Sequence, residues 1–272
     1  MTTAPLKRLI VCADDFALNA AASQGIAALA FAGRISATSV MVLSPRWAQD
    51  AALLQELRGR IDVGLHLDWT SAFARSAGHG VSLTGAMLKA VLGGFNRAAA
   101  RAVIERQLNA FEAVWQGPPD HIDGHQHVQQ FAGIRDALVA AMEQRYAIKN
   151  RAYFRLSKGA ITDKSFKTQV IARLGAGALA HGAGAAGIAC APALSGIYDF
   201  TGGAQRYATL MARWLQDTPA GGIIMCHPAV RAEALDAIGA ARTWEHDYLA
   251  SDAFSQALAR AGVALSRGAP IL

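Results

Sequence analysis

Short runs of β-branched and other apolar residues alternate with longer, alanine-rich stretches along all 272 residues. This rhythm constrains the fold more than any other feature, because a buried apolar strand followed by a helix is the repeating unit of a parallel sheet covered by helices. Residues 9–12 open the first unit, a helix over about 19–32 follows, and Gly33 ends it. Further strands are expected at 39–43, 61–67, 121–128, 152–156, 222–226 and 263–265, and helices at 47–57, 97–115, 134–142, 204–215 and 252–261. In the 97–115 stretch Ile104, Leu108, Phe111 and Trp115 recur at helical spacing, and Gly117-Pro118-Pro119 stops the helix. The expected fold is α/β and barrel-like, with parallel strands surrounded by helices in one domain, a size that suits this chain. Residues 71–94, rich in Gly and Ser, read as an irregular excursion long enough to cover a site. Residues 174–187 are so dense in Gly and Ala that they permit either a closely packed helix or a loop.

Composition removes several function classes. With 53% hydrophobic and 17% charged residues the chain is unlike a disordered one. The net charge of +6 comes from Lys and Arg scattered singly among alanines, with no nucleic-acid motif, so a nucleic-acid partner is not expected. No apolar run reaches the roughly 18 residues that cross a bilayer, and no signal-peptide pattern opens the sequence; a cytoplasmic protein without a transmembrane segment is expected. Cys12, Cys190 and Cys226 lack metal or redox spacing and read as reduced core thiols.

In parallel α/β folds chemistry gathers at the carboxyl ends of strands, so polar residues there come first. Four places qualify: Asp14-Asp15, His66, the series His121, Asp123, His125, His127, and His227. Adjacent aspartates on extended backbone point oppositely, which suits them to different tasks, one as metal ligand and its neighbour as base; either could instead cap the helix near Asn19. The alternating series puts all four side chains on one face if the strand is regular, an expensive surface to bury without a ligand. With an aspartate and another histidine it supplies mixed oxygen and nitrogen donors that suit Zn²⁺, and also Co²⁺, Ni²⁺ or Mn²⁺. His227, held extended by Pro228, could protonate a departing amine.

At these residues the sequence resembles the YdjC-like or ChbG-like carbohydrate deacetylases. The matching pieces are Val11-Cys12-Ala13-Asp14-Asp15-Phe16, Ser39-Val40-Met41-Val42, Gly64-Leu65-His66-Leu67, 121–128, Ile224-Met225-Cys226-His227-Pro228, and Arg242-x-x-Glu245-x-x-Tyr248-Leu249-x-Ser251. The resemblance implies a (β/α) barrel-like fold, one divalent ion (Zn²⁺ or Mg²⁺ foremost) on Asp15, His66 and His125, and Asp14 as base. Asp14 would take a proton from the attacking water and His227 would give one to the sugar nitrogen, releasing acetate. Asp123 and His127 would orient the ligands, while Tyr198, Asp199 and Phe200 would border the sugar pocket. The expected substrate is an N-acetylated amino sugar, either of chito-oligosaccharide type or on a glycolipid, since the resemblance extends to relatives associated with hopanoid lipids. Two departures stand out: Ala17 where the family usually has glycine, and Gln129 where a histidine is common. A non-catalytic sugar-binding or regulatory relative and another metal-dependent barrel enzyme, an isomerase or phosphodiesterase, are the competing readings. A homodimer is compatible with the size.

Overall fold

The structure, a computed structural model, describes residues 5–160, 165–268 and 271–272. Among these described residues eight strands form one sheet: β1 (Lys7–Phe16), β2 (Ala37–Val40), β3 (Asp62–Leu67), β4 (His121–Gly124), β5 (Tyr153–Phe154), β6 (Leu194–Ser195), β7 (Ile223–Cys226) and β8 (Val263–Leu265). Their order is β5-β4-β3-β2-β1-β7-β6, every pairing is parallel, and β8 pairs with the first residues of β1. The sheet curls into a half-barrel with helices around it, the single α/β domain that the βα rhythm predicts. β1 is buried from Leu9 to Phe16 because it lies inside this order, between β2 and β7, and is covered on both faces.

The helix Arg97–Trp115 has the predicted bounds and buries Ile104, Leu108, Phe111 and Trp115 against the sheet. Each contributes roughly 1.5–3 kcal/mol by leaving water, and Phe111→Ala would cost about 3–5 kcal/mol. The excursion at 71–94 holds two short helices, Ala72–Ser76 and Leu83–Val91, whose amino ends are capped by the hydroxyls of Ser71 and Ser82. The Gly/Ala segment resolves as the helix Ala176–Ala185. Two further helices, Phe166–Arg173 and Gly239–Ala250, and the two-residue β6 lack a strong apolar period and escape the sequence reading. No helix among the described residues is long and apolar enough to cross a membrane.

One expectation needs correction. The strand predicted over 121–128 ends at Gly124; a 3-10 turn, His125–Gln130, follows, with Gln126 (φ 55°) and His127 (φ 65°) in the left-handed region. Left-handed backbone breaks the two-residue alternation, so the four polar side chains do not share one face.

Two features frame the sheet. Residues 189–194 run between its outer strands: Phe154 donates its N–H to Ala189 O (2.9 Å), Ala191 to Phe154 O (3.0 Å) and Leu194 to Lys158 O (2.7 Å). At the amino ends of β3, β4 and β5, buried Asp62 accepts from Tyr153 Oη (3.0 Å), Arg267 Nε (2.7 Å) and the Gly268 N–H (2.5 Å). Arg267 also reaches Asp120 (3.2 Å), whose other oxygen accepts from the Val63 N–H (2.8 Å).

Candidate active site

A cleft of about 810 Å³ opens at the carboxyl ends of the strands, and Asp14, Asp15, His66, His125, His127 and His227 all line it. β1 delivers the two aspartates. Its register with β2 shifts between Ala13 and Phe16, and Asp15 (φ 67°) and Ala17 (φ 71°) adopt left-handed backbone. The distortion, which costs of order 1–3 kcal/mol per residue, sends Asp14 and Asp15 to different partners. Neither caps the following helix; Asn19 does, accepting from the Ala22 N–H at 2.8 Å. Ala17 thus occupies backbone that glycine enters freely and alanine does not.

β3 and β4 deliver the first histidine. His66 and Asp123 are register partners on these adjacent strands, so their side chains emerge side by side, with His66 Nδ1 2.6 Å from Asp123 Oδ1. That bond fixes the ring and turns Nε2 toward Asp15 Oδ1, 3.5 Å away. Gly124 ends β4 and His125 begins the turn, placing its Nδ1 3.2 Å from the same oxygen. One donor atom from each of Asp15, His66 and His125 lies within 4.8 Å of the others, across segments far apart in sequence.

The donor set fits a divalent cation. Asp15 Oδ1 is buried between the two imidazoles yet has no hydrogen-bond partner in good geometry. Its other oxygen accepts from Arg242 Nη2 at 2.7 Å. Burial alone would raise the Asp15 pKa, but Arg242 and His125 outweigh it and hold the carboxyl well below the usual range. Burial works against a charged His66, whereas Asp123, with Asp14 and Asp15 behind it, raises its pKa to about 9. Asp14, Asp15 and Asp123 face two guanidiniums, Arg155 and Arg242, and the third positive charge comes from a protonated His66, a place that a divalent cation would take over as the ring loses its proton. Asp14, His66 and Asp123 form a second grouping of the same size, but both aspartates there are already bonded to Arg155.

Asp14 stands beside this group. Both its oxygens accept from the fully buried Arg155, Nη1 at 2.6 Å and Nη2 at 2.7 Å, and His227 Nε2 lies 3.9 Å away. His227 follows β7; its N–H donates to Glu245, whose other oxygen accepts from Tyr198 Oη at 2.7 Å. Burial pushes the His227 pKa down to about 4 against the pull of Asp14 and Asp15, so the ring is neutral near pH 7. Its Nδ1 is buried without a partner. Burial likewise raises Glu245 to about 7, although the His227 N–H and Tyr198 hydroxyl oppose it.

The remaining predicted residues divide. His127 lines the cleft, but its turned backbone directs Nδ1 to Ser157 Oγ (2.8 Å), and burial, with Arg155 behind it, lowers its pKa to about 3. His121, first in the series, lies inside the barrel beside Ser39 and Cys12, stacked on Tyr153. Gly64 makes room for it, since a Cβ there would sit 2.4 Å from the ring. Tyr198 and Phe200 line the cleft, Phe200 with its ring 5.3 Å from that of His227. Asp199 does not join them; it is 55% exposed and paired with Arg206. Gln129 lies buried under the turn and donates to Arg155 O at 2.9 Å, outside the three-donor group. Cys12 and Cys226 are buried free thiols, and Cys190 is partly buried.

Arg155, Arg242 and Glu245 carry roles that the sequence reading did not assign. Arg155 follows the apolar run Ala152-Tyr153-Phe154, the same signal that marks Asp14 and His227. Arg242 and Glu245 are buried and three apart on the helix Gly239–Ala250, hence on one face.

Comparisons with known proteins identify relatives of this chain. A carbohydrate deacetylase from Mus musculus is 31% identical over 157 residues, 53% of this chain and 50% of the relative. A chitooligosaccharide deacetylase from Enterobacter is 31% identical over 150 residues, 53% of this chain and 59% of that protein. The chain thus spans only about half the length of the curated relatives it matches. Among solved structures, a proposed cellobiose-phosphate cleavage protein from Enterococcus faecalis superposes with a TM-score of 0.72 at 18% identity, covering 97% of this chain and 98% of the other. The Xyl-CE4 domain of a multidomain xylanase, from the hindgut metagenome of Trinervitermes trinervoides, gives 0.51 at 10% identity, covering 98% and 89%. These two show a shared fold. The sequence profile of the YdjC-like proteins matches residues 8–260, and the chain belongs to that family.

Proposed function

We propose that the chain is a divalent-metal-dependent hydrolase that removes the N-acetyl group of an amino sugar. The observation that carries this reading is the convergence of Asp15, His66 and His125 in one cleft with Asp14 and His227. A divalent ion on the three donors would supply Lewis-acid chemistry, polarising the acetyl carbonyl and making water more acidic. Asp14, anchored by Arg155, takes a proton from the attacking water as its oxygen adds to the amide carbon. A neutral His227 cannot protonate an amine before gaining a proton itself. Its place 3.9 Å from Asp14 supports a relay in which the proton taken from water passes through His227 to the nitrogen as the C–N bond breaks. The products are acetate and a free amine.

The cleft walls favour one of the two expected substrate types. Leu18, Met87, Val170, Ile171 and Ile238 line it, and aliphatic side chains offer little to sugar hydroxyls but much to an apolar group. The reading is therefore an amino sugar carried on an apolar aglycone, a glycolipid. A panel of N-acetylated sugars with and without alkyl aglycones, assayed for acetate release with Zn²⁺, Mg²⁺, Co²⁺, Ni²⁺ or Mn²⁺ added, tests it. Faster turnover of the alkyl glycosides is expected. Equal turnover of diacetylchitobiose would reject the glycolipid preference, and no acetate from any combination would reject the hydrolase.

A further inference from the structure

Large apolar side chains stand exposed around the mouth of the cleft on three separate segments. Leu83, Phe166 and Leu235 all line the cleft, yet are 36%, 81% and 101% exposed. On the helix Leu83–Val91 the apolar surface continues outward: Val91, 70% exposed, lies one turn beyond the cleft-lining Met87, and Leu88 and Leu92, 59% and 74% exposed, lie one turn apart beside them. Scattered exposed leucines need no explanation, but a cluster at the rim of an apolar cleft marks an interaction surface.

The charges around this rim select the partner. The helix Leu83–Val91 contains Lys89 and no acidic residue; Phe166–Arg173 contains Lys167 and Arg173 and no acidic residue. Lys89 and Arg173 are exposed, and neither forms an ion pair among the described residues. Lys167 donates to Tyr198 O, which holds it beside the cleft. The acids flanking Leu235 are already paired, Glu233 with Arg231 at 3.0 Å and Asp236 with Arg242 at 2.6 Å. Lys89 lies 5.4 Å from the centre of the Phe95 ring, and no carboxylate among the described residues neutralises it; apolar side chains projecting between cations left without acidic partners are the chemistry that seats a protein on an anionic lipid surface.

We propose that this rim docks on an anionic lipid bilayer, with the cleft opening toward the membrane. Leu88, Val91, Leu92 and Phe166 would enter the headgroup boundary, and Lys89 and Arg173 would lie against lipid phosphates. A glycolipid could then reach the three-donor site with its apolar part still shielded from water. This purpose rests on the glycolipid reading; the docking itself does not.

Co-sedimentation of the full chain with vesicles tests the proposal without substrate. Binding is expected to vesicles of phosphatidylcholine mixed with phosphatidylglycerol, to weaken as salt is added, and to be slight on phosphatidylcholine alone. The double variant Leu88→Asp/Leu92→Asp, both positions outside the cleft lining, should bind anionic vesicles on the order of tenfold more weakly, and Lys89→Glu should also weaken binding. Both variants should release acetate from a water-soluble N-acetyl sugar at the wild-type rate, which separates this test from that of the hydrolase reading. Absence of wild-type binding to anionic vesicles, or equal binding by the double variant, would overturn docking. So would a wild-type dimer that the double variant splits while vesicle binding is absent, since the face would then belong to a second copy of the chain.

Discussion

The two ends of strands β3 and β4 each carry a buried polar cluster, and the clusters differ in how completely they are satisfied. At the amino end, Asp62 accepts from Tyr153, Arg267 and the Gly268 N–H, and Asp120 closes the group through Arg267 and Val63. At the carboxyl end, Asp15 Oδ1, His227 Nδ1 and Arg155 Nε are buried without partners, and Asp15, Ala17 and His127 hold left-handed backbone. Closing every polar group produces a staple; leaving a few open, on strained backbone, produces a site with capacity to spare for a ligand. On the proposed reading the same strands serve stability at one end and chemistry at the other.

The comparison can be broken most directly at the carboxyl end. Asp15→Ala or His125→Ala should lose bound divalent ion, read by elemental analysis, and reduce acetate release to background; wild-type metal content and turnover in both would remove the site. Asp14→Asn should instead keep the ion and lower kcat by about 10²–10⁴-fold, and loss of the ion would show that the aspartates have exchanged roles. At the amino end Asp62→Ala should behave oppositely, costing about 3 kcal/mol in urea unfolding with kcat unchanged in the folded fraction. Lost turnover at undiminished stability there would erase the distinction.

A smaller effect is in the pH profile of the metal-free protein. His127 and His227, lowered to about 3 and about 4, stay neutral in the fold, while the unfolded chain gains protons below about 6.5. Stability from both is present above that pH and is lost on acidification. Glu245, raised to about 7, works the other way between about 4.5 and 7 and offsets roughly one of the two. His66, raised to about 9, stabilises below 6.5 and loses that contribution as pH climbs to about 9. The melting temperature should thus fall from pH 6.5 toward 4.5, less steeply in His127→Gln, and fall again from pH 7 to 9. A flat acid limb, or one unchanged by that substitution, would assign acid sensitivity elsewhere. Smallest of all, Ala17→Gly should raise stability by about 1 kcal/mol by relieving its left-handed backbone, and a lower melting temperature would show that Ala17 stores no such strain.

The sequence made the sheet legible because strands buried on both faces read as apolar runs, and polar residues just beyond them exposed Asp14, Asp15, His66 and His227. Arg155 carried the same signal but followed a two-residue strand, too short to frame it. Arg242 reaches Asp15 from 227 positions away on a helix, a distance over which local pattern is silent. The series 121–127 misled for a related reason: alternation reports a shared face only while the backbone stays extended, and it turns after Gly124. Asp199 has the chemistry suited to a sugar but faces solvent, a difference set by tertiary packing alone.

The strip 189–194 between β5 and β6 has a consequence for how the protein survives crowding. Outer strands of a curled sheet normally offer unused amide and carbonyl groups on which foreign chains can assemble. Here Ala189, Ala191 and Leu194 occupy such groups on Phe154 and Lys158, so the strip acts as a built-in bandage against strand-to-strand aggregation. Peeling it away, by heat or by a proline at Ala191, would expose the margin of β5 and make clumping the first symptom of damage.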